Sequence, residues 1–177
     1  MYGMESGYYN DSNYVETYAK EYKIPEEKSF SINSEYFSYI KNLDDSLWIN
    51  QKNHLQPLQA MYFDNTGKLI SYHINCTTGG FPNLKWNRDN RFETFPPKDV
   101  VTQDTILNYR KLANFIVPVN NNKYIPNYNV DYNVVVFWSI RMGRQSKRLI
   151  KLVQENAKLS SQEVNITYVN VDDIFLK

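Results

Sequence analysis

Apolar positions along the chain fall into blocks of helical and of extended period. From Asn13 to Tyr22 the rings of Tyr14, Tyr18 and Tyr22 recur every four residues, predicting a helix with Ser12 placed to cap it and Pro25 to end it. Ser29 to Ile32 reads as a short strand. Ser34 to Leu43 returns to the helical period, with Tyr36, Phe37, Ile40 and Leu43 on one side, and Asp44-Asp45-Ser46 closes it. Leu58 to Phe63 and Lys68 to Asn75 are strand segments joined by Asp64-Asn65-Thr66-Gly67, where glycine allows positive φ. Together they predict a β-hairpin, with Pro57 just before its first strand.

Thr77 to Lys98 carries Gly79-Gly80, Pro82, Pro96 and Pro97 among Trp86, Phe92 and Phe95, and reads as a long irregular loop. Thr102 to Ile116 places Ile106, Tyr109, Ala113 and Ile116 in helical register before Pro118, and Val119 to Asp131 is a polar connector. Val134 to Trp138 is a continuous apolar run, the mark of a strand covered on both faces. Ser146 to Leu159 is an amphipathic helix, and Val164 to Val171 alternates as a strand. Strand, helix, strand is a βαβ unit with a right-handed crossover. The fold class is therefore α/β. No internal repeat or second core divides the chain, so 14–177 reads as one domain behind a polar tether, 1–13.

Composition narrows the function classes. The chain has 177 residues, 42% hydrophobic and 22% charged, which is a globular balance. Its 20 Lys+Arg against 19 Asp+Glu give no sign of a nucleic-acid binder. One Cys excludes an intramolecular disulfide and a cysteine-built zinc site, and two His make no histidine-rich metal site. No cofactor is implied, since the phosphate loop GxxxxGK[ST] is absent. No apolar run approaches the roughly 20 residues of a membrane span. Asn makes up roughly one residue in eight and Tyr occurs 15 times. Codon use in an AT-rich genome produces this bias; so does a surface of amphipathic rings for sugars or peptides. The scatter of Tyr along the whole chain favours the first.

The first 13 residues show no basic start followed by an apolar stretch, so they are not a signal peptide. Two readings stay open: a cytoplasmic protein, or one whose signal was removed. A polar tether favours the cell envelope, with attachment through a removed N-terminal lipid anchor. Asn10-Asp11-Ser12, Asn75-Cys76-Thr77 and Asn165-Ile166-Thr167 match the glycosylation sequon, a short pattern in an Asn-rich chain.

Val134 to Lys147 reads VVVFWSIRMGRQSK. This resembles the thioredoxin-like family, particularly its extracytoplasmic branch, where a buried strand ending in Phe-Trp runs into Cys-x-x-Cys at a helix N-terminus. Phe137 and Trp138 match the aromatic pair, and Met142-Gly143-Arg144-Gln145 occupies the Cys-x-x-Cys place. The unit ending at Val171-Asp172-Asp173 resembles the family's next strand and its acidic exit. The hairpin from Pro57 to Asn75 resembles the family's other half, in which a cis-proline precedes two antiparallel strands and a helix follows. Here the hairpin comes before the βαβ unit rather than after it. The resemblance thus implies either a thioredoxin-like mixed sheet flanked by helices in circularly permuted order, or a βαβ unit completed by a different sheet.

The family's redox chemistry needs a thiolate at the helix N-terminus and a second, resolving thiol. A thioether at Met142 and an amide at Gln145 can be neither. The resemblance therefore implies a redox-inactive domain without catalytic residues, recognising a protein or peptide through Pro57, Trp138, Met142, Gly143, Arg144 and Gln145. In the family an extended peptide pairs with backbone beside the cis-proline, which needs no cysteine. Arg141, Arg144, Lys147, Arg148 and Lys151 gather at the start of the following helix; they oppose its dipole and form either a site for an anion or acidic partner, or a solvated face. Cys76 reads as a small buried hydrophobe, His54 and His73 as exposed or hydrogen-bonded, and Glu26-Glu27, Asp44-Asp45 and Asp172-Asp173 as turn and cap residues. Trp86 lies either on a binding rim or in a loop folded over the sheet. Two further function classes stay open: an enzyme using Cys76 or a convergent carboxylate pair, and a carbohydrate-binding or structural envelope component using Tyr and Trp rings.

Overall fold

The fold is built outward from its most apolar strand. In the computed structural model, which describes residues 12–79, 84–99, 105–119 and 123–175, Val134 to Trp138 lies in the interior of a six-stranded mixed sheet of order β3-β2-β5-β6-β1-β4. The strands are β1 (Ser29–Ile32), β2 (Gln59–Asp64), β3 (Leu69–Ile74), β4 (Ile116–Pro118), β5 (Tyr132–Trp138) and β6 (Val164–Asn170). The helices are α1 (Ser12–Glu21), α2 (Glu35–Lys41), α3 (Trp48–His54), α4 (Tyr109–Ala113), α5 (Gly143–Ala157) and α6 (Asp172–Phe175). β5, β6 and β1 run parallel, while β2 is antiparallel to β5 and to β3, and β4 to β1.

Side chains alternate across a strand, so β5 feeds two cores at once. Val134, Val136 and Trp138 pack with Leu149, Ile150 and Val153 of α5 and with Val15 and Ala19 of α1. Val135 and Phe137 pack on the other face with Tyr36 and Ile40 of α2 and Tyr109 and Leu112 of α4. Each such buried Val, Leu or Phe contributes roughly 1.5–3 kcal/mol, which is why this apolar run sits in the centre. The hairpin turn is held by Asp64, whose Oδ1 accepts from Thr66 N, Thr66 Oγ1 and Lys68 N. Gly67 sits at φ +84, a conformation that favours glycine whatever the space around it.

Three elements differ from the sequence reading. The Thr102 to Ile116 helix is reduced to the five residues of α4, and Thr102 lies outside the described residues. Asn108 is extended and caps α4 through Oδ1 to Lys111 N, so the helix starts there; Ile116 leaves it to pair with Ile32 on the free edge of β1. The stretch after Asp44 forms a second helix, α3, where the sequence carried no apolar stripe, because Trp48 and Ile49 point to solvent. Val171-Asp172-Asp173 leads into the short α6. Residues 1–11, including Asn10 and Asp11 of the first sequon, and Gly80 and Pro82 lie outside the described residues, while α1 already begins at Ser12, so Ser12 and Asn13 belong to the helix rather than to the tether. No helix among the described residues is long and apolar enough to cross a membrane.

Candidate functional site: the C-terminal ends of β5 and β6

The residues singled out by the resemblance converge on one end of the sheet. Gln59, the first residue of β2, is the register partner of Phe137 near the end of β5, so Pro57 and Leu58 lie at the end of the sheet from which the chain enters α5. Leu58, Trp138 and Met142 share one apolar cluster. Gly143 opens α5 at φ +40, and Gln145 N donates to Met142 O at 2.8 Å.

Little of this set faces solvent. Trp138, Gly143 and Gln145 are buried, Pro57 and Met142 half-buried, and Arg144 exposed. Trp138 packs edge-on against Tyr22 at 5.6 Å. Of the six residues that the resemblance singles out, Pro57, Met142 and Arg144 reach the surface, while Trp138 is in the core and Gly143 and Gln145 in the first turn of α5 are turned inward. The backbone beside Pro57 is also engaged. Gln56 N donates to Asn53 O, Gln56 O accepts from Gln59 Nε2, Leu58 N donates to Asn75 Oδ1, and Leu58 O accepts from Asn75 N. The Gln56–Pro57 peptide is trans, since among the described residues only Phe95–Pro96 is cis. Backbone pairing with an extended peptide at this point would have to displace those bonds.

A polar knot holds the turn between β5 and α5. Asp172 is fully buried, and its carboxylate accepts from Ser139 Oγ at 2.5 Å, Ile140 N at 2.7 Å and Asn170 Nδ2 at 2.7 Å. Asp172 N donates back to Asn170 Oδ1, and Val171 N to Trp138 O. Ser146, one turn into α5, accepts from Ser139 N and donates to Ser139 O. Buried charge is tolerable only when its lone pairs are filled, and here they are filled by the chain's own donors. The arrangement fixes a loop; it leaves no carboxylate oxygen directed at a cleft. Asp172 thus departs from its reading as a turn residue: it spans two strand ends.

The basic row turns outward. Arg144, Lys147 and Arg148 are exposed, and Arg141 is half-buried. Lys147 Nζ lies 3.2 Å from Glu21 Oε1 and 5.9 Å from the centre of the Tyr22 ring, and Lys151 pairs with Glu155 at 3.7 Å. Exposed pairs of this kind contribute little stability.

Other candidate groups fall elsewhere. Cys76 is exposed, not a core residue; the 3-10 turn after β3 swings it out, and its Sγ donates to Gln56 Oε1 at 2.9 Å. Both histidines are buried. Tyr72 OH donates to Gln59 Oε1, so His54 Nδ1, 3.2 Å away, is the donor to Tyr72. Ser71 Oγ donates to Pro97 O, which makes His73 Nε2 the donor to Ser71. Desolvation first, and the nearby Arg91 charge second, push the His73 pKa down to about 3. Trp86 is buried beneath residues 84–96, tied down by Asn156 Nδ2 donating to Phe92 O and Thr94 O. It belongs to a loop folded over the sheet rather than to a rim. Among the described residues no group of three His, Cys, Asp or Glu is disposed to hold a metal ion. Sequence reasoning missed Ser139, Ser146 and Asn170; a single polar residue at each strand end, Ser139 after β5 and Asn170 closing β6, was the signal for two of them. Comparison of the chain with protein-family models, curated proteins and solved structures finds no match.

Proposed function

We propose that this chain is a non-catalytic, thioredoxin-like recognition domain that contacts an acidic protein or peptide through the outward face of the start of α5. The observation that carries the reading is the sheet order. The hairpin lies beside β5 and antiparallel to it, so its Pro57 end is at the same end of the sheet as the α5 start, where the proposed alignment puts Met142 and Gln145 in the dithiol places. That is the arrangement a permuted order of the family would produce. The buried knot around Asp172 makes this end rigid without exposing a nucleophile.

The mode of contact differs from the family's backbone pairing. With the backbone at Gln56 and Leu58 engaged, recognition rests on side chains: Met142 and Pro57 as apolar contacts, Arg144, Lys147 and Arg148 as charge. Charge complementarity sets orientation and on-rate more than affinity. A cell-envelope location is part of this proposal and rests on the polar character of residues 1–13.

A peptide-display selection with the full chain tests the reading. Enriched peptides should be acidic and should weaken by about ten-fold or more against a triple Arg144→Glu, Lys147→Glu, Arg148→Glu variant, with the loss shrinking at high salt. Glutamate at 144 lies in the first turn of α5 and favours the dipole, and all three positions are exposed, so the variant should fold. Peptides that bind parent and variant equally would overturn the proposal.

A further inference from the structure

The opposite end of the same strands is built differently. On the face shared with α2 and α4, β5 passes from Phe137 and Val135 to Asn133, and β6 from Val169 to Thr167 and Asn165. Strand positions that carry core side chains at one end carry amides and a hydroxyl at the other. The segment 123–129 lies over them and leaves a cleft of about 510 Å³, lined among others by Phe30, Tyr124, Asn127, Tyr128, Asn129 and Asn165. That volume is in the range of small-molecule sites.

The floor is ordered before any ligand arrives. Lys28 Nζ donates to Asn165 Oδ1 at 2.5 Å, Asn165 Nδ2 to Asn133 Oδ1 across a register pair at 2.9 Å, and Asn133 Nδ2 to Asn127 O at 2.8 Å. The walls are aromatic and braced. Tyr124 meets Phe30 edge-on at 4.8 Å and its hydroxyl pairs with Tyr109 at 3.1 Å. Tyr128 packs edge-on to Tyr109 with the Arg110 guanidinium 4.6 Å over its ring, and is still 40% exposed.

Residue chemistry selects the ligand class. An amide both donates and accepts, as a hydroxyl does. The exposed part of Tyr128 with Tyr124, Ile125 and Pro126 offers apolar surface to the C–H groups of a sugar. Glu27 stands with Lys28 and Lys123, and Lys28 is already bound to Asn165, so the cleft is no strong anion trap. A purely apolar ligand would strip water from the exposed Asn129 amide without replacing it. We propose that this cleft binds a neutral polyhydroxylated ligand, a short saccharide, independently of the reading given to α5.

The test is a two-dimensional NMR titration of the ¹⁵N-labelled full chain, following side-chain amide signals. Maltotriose, cellotriose and chitotriose are the probes, each to about 20 mM, with inorganic phosphate as the anion control. At least one trisaccharide should shift the signals of Asn127, Asn129 and Asn165 saturably. Tyr128→Ala and, separately, Asn129→Ala should each weaken that binding by about five-fold; both residues are exposed, so both variants should fold. No shift from any trisaccharide would overturn the proposal. So would shifts from phosphate as large as those from the sugars, or binding unchanged in both variants.

Discussion

At the C-terminal ends of β5 and β6 one carboxylate, Asp172, gathers Ser139, Ile140 and Asn170 into a buried knot. At the N-terminal ends of the same strands a row of amides, Asn133 and Asn165, lies under a cleft, joined to Lys28 on one side and to the 123–129 segment on the other. Similar polar side chains do opposite work. In the knot every donor reaches an internal acceptor, and the exposed side chains beside it are basic: Arg144, Lys147 and Arg148. In the cleft the amides of Asn133 and Asn165 are bonded to one another and to the chain as well, but Asn165 borders open space, where the proposed saccharide would lie. Burial and closure, rather than residue type, separate a structural network from a binding one.

The largest effect should come from breaking the knot. Asp172→Ala leaves three donors buried without their acceptor and should lower stability by about 3–5 kcal/mol in urea denaturation. Asn129→Ala, on the rim of the cleft, should change it by less than about 0.5 kcal/mol. Equal losses would erase the distinction between the two ends.

Next in size is a pH dependence of the closed half. His73 pairs with Ala60, which pairs with Val136, so it lies near the closed end, beneath residues 92–97. Its pKa is about 3 in the fold, against 6.5 for the ordinary side chain. Between those values the unfolded chain binds a proton that the native state refuses. The stability contribution is therefore whole above pH 6.5 and falls as pH drops towards 3. From pH 7 to pH 5 the loss from this group should be about 2 kcal/mol. His73→Phe should flatten the profile across that interval; an unchanged profile would contradict the burial argument. The smallest effect belongs to the basic row: Glu21→Ala removes the partner of Lys147 and should alter stability by under about 0.5 kcal/mol, while strengthening any acidic partner's binding slightly.

Local period made much of the fold legible. The hairpin, β5, α5 and β6 each announce themselves within a dozen residues, because their apolar spacing is set by the strand or helix they occupy. α3 exposes Trp48 and Ile49 and so lacks a stripe, and β4 exists only because β1 offers an edge. Neither is written locally. Site residues follow the same division. That Pro57 and Met142 share an end depended on aligning the hairpin with the βαβ unit. Gln145 turning inward, Cys76 turning outward and Asp172 bridging two strand ends are long-range facts that no spacing encodes.

The most direct measurement restores the chemistry that the proposed ancestry implies. In a Cys76→Ser background, Met142→Cys with Gln145→Cys places two thiols where the resemblance puts a dithiol. The account predicts an intramolecular disulfide that titrates reversibly with glutathione or dithiothreitol, at a potential between about −120 and −270 mV. A folded double variant whose thiols never pair would contradict it, and with it the thioredoxin-like reading of this end of the sheet.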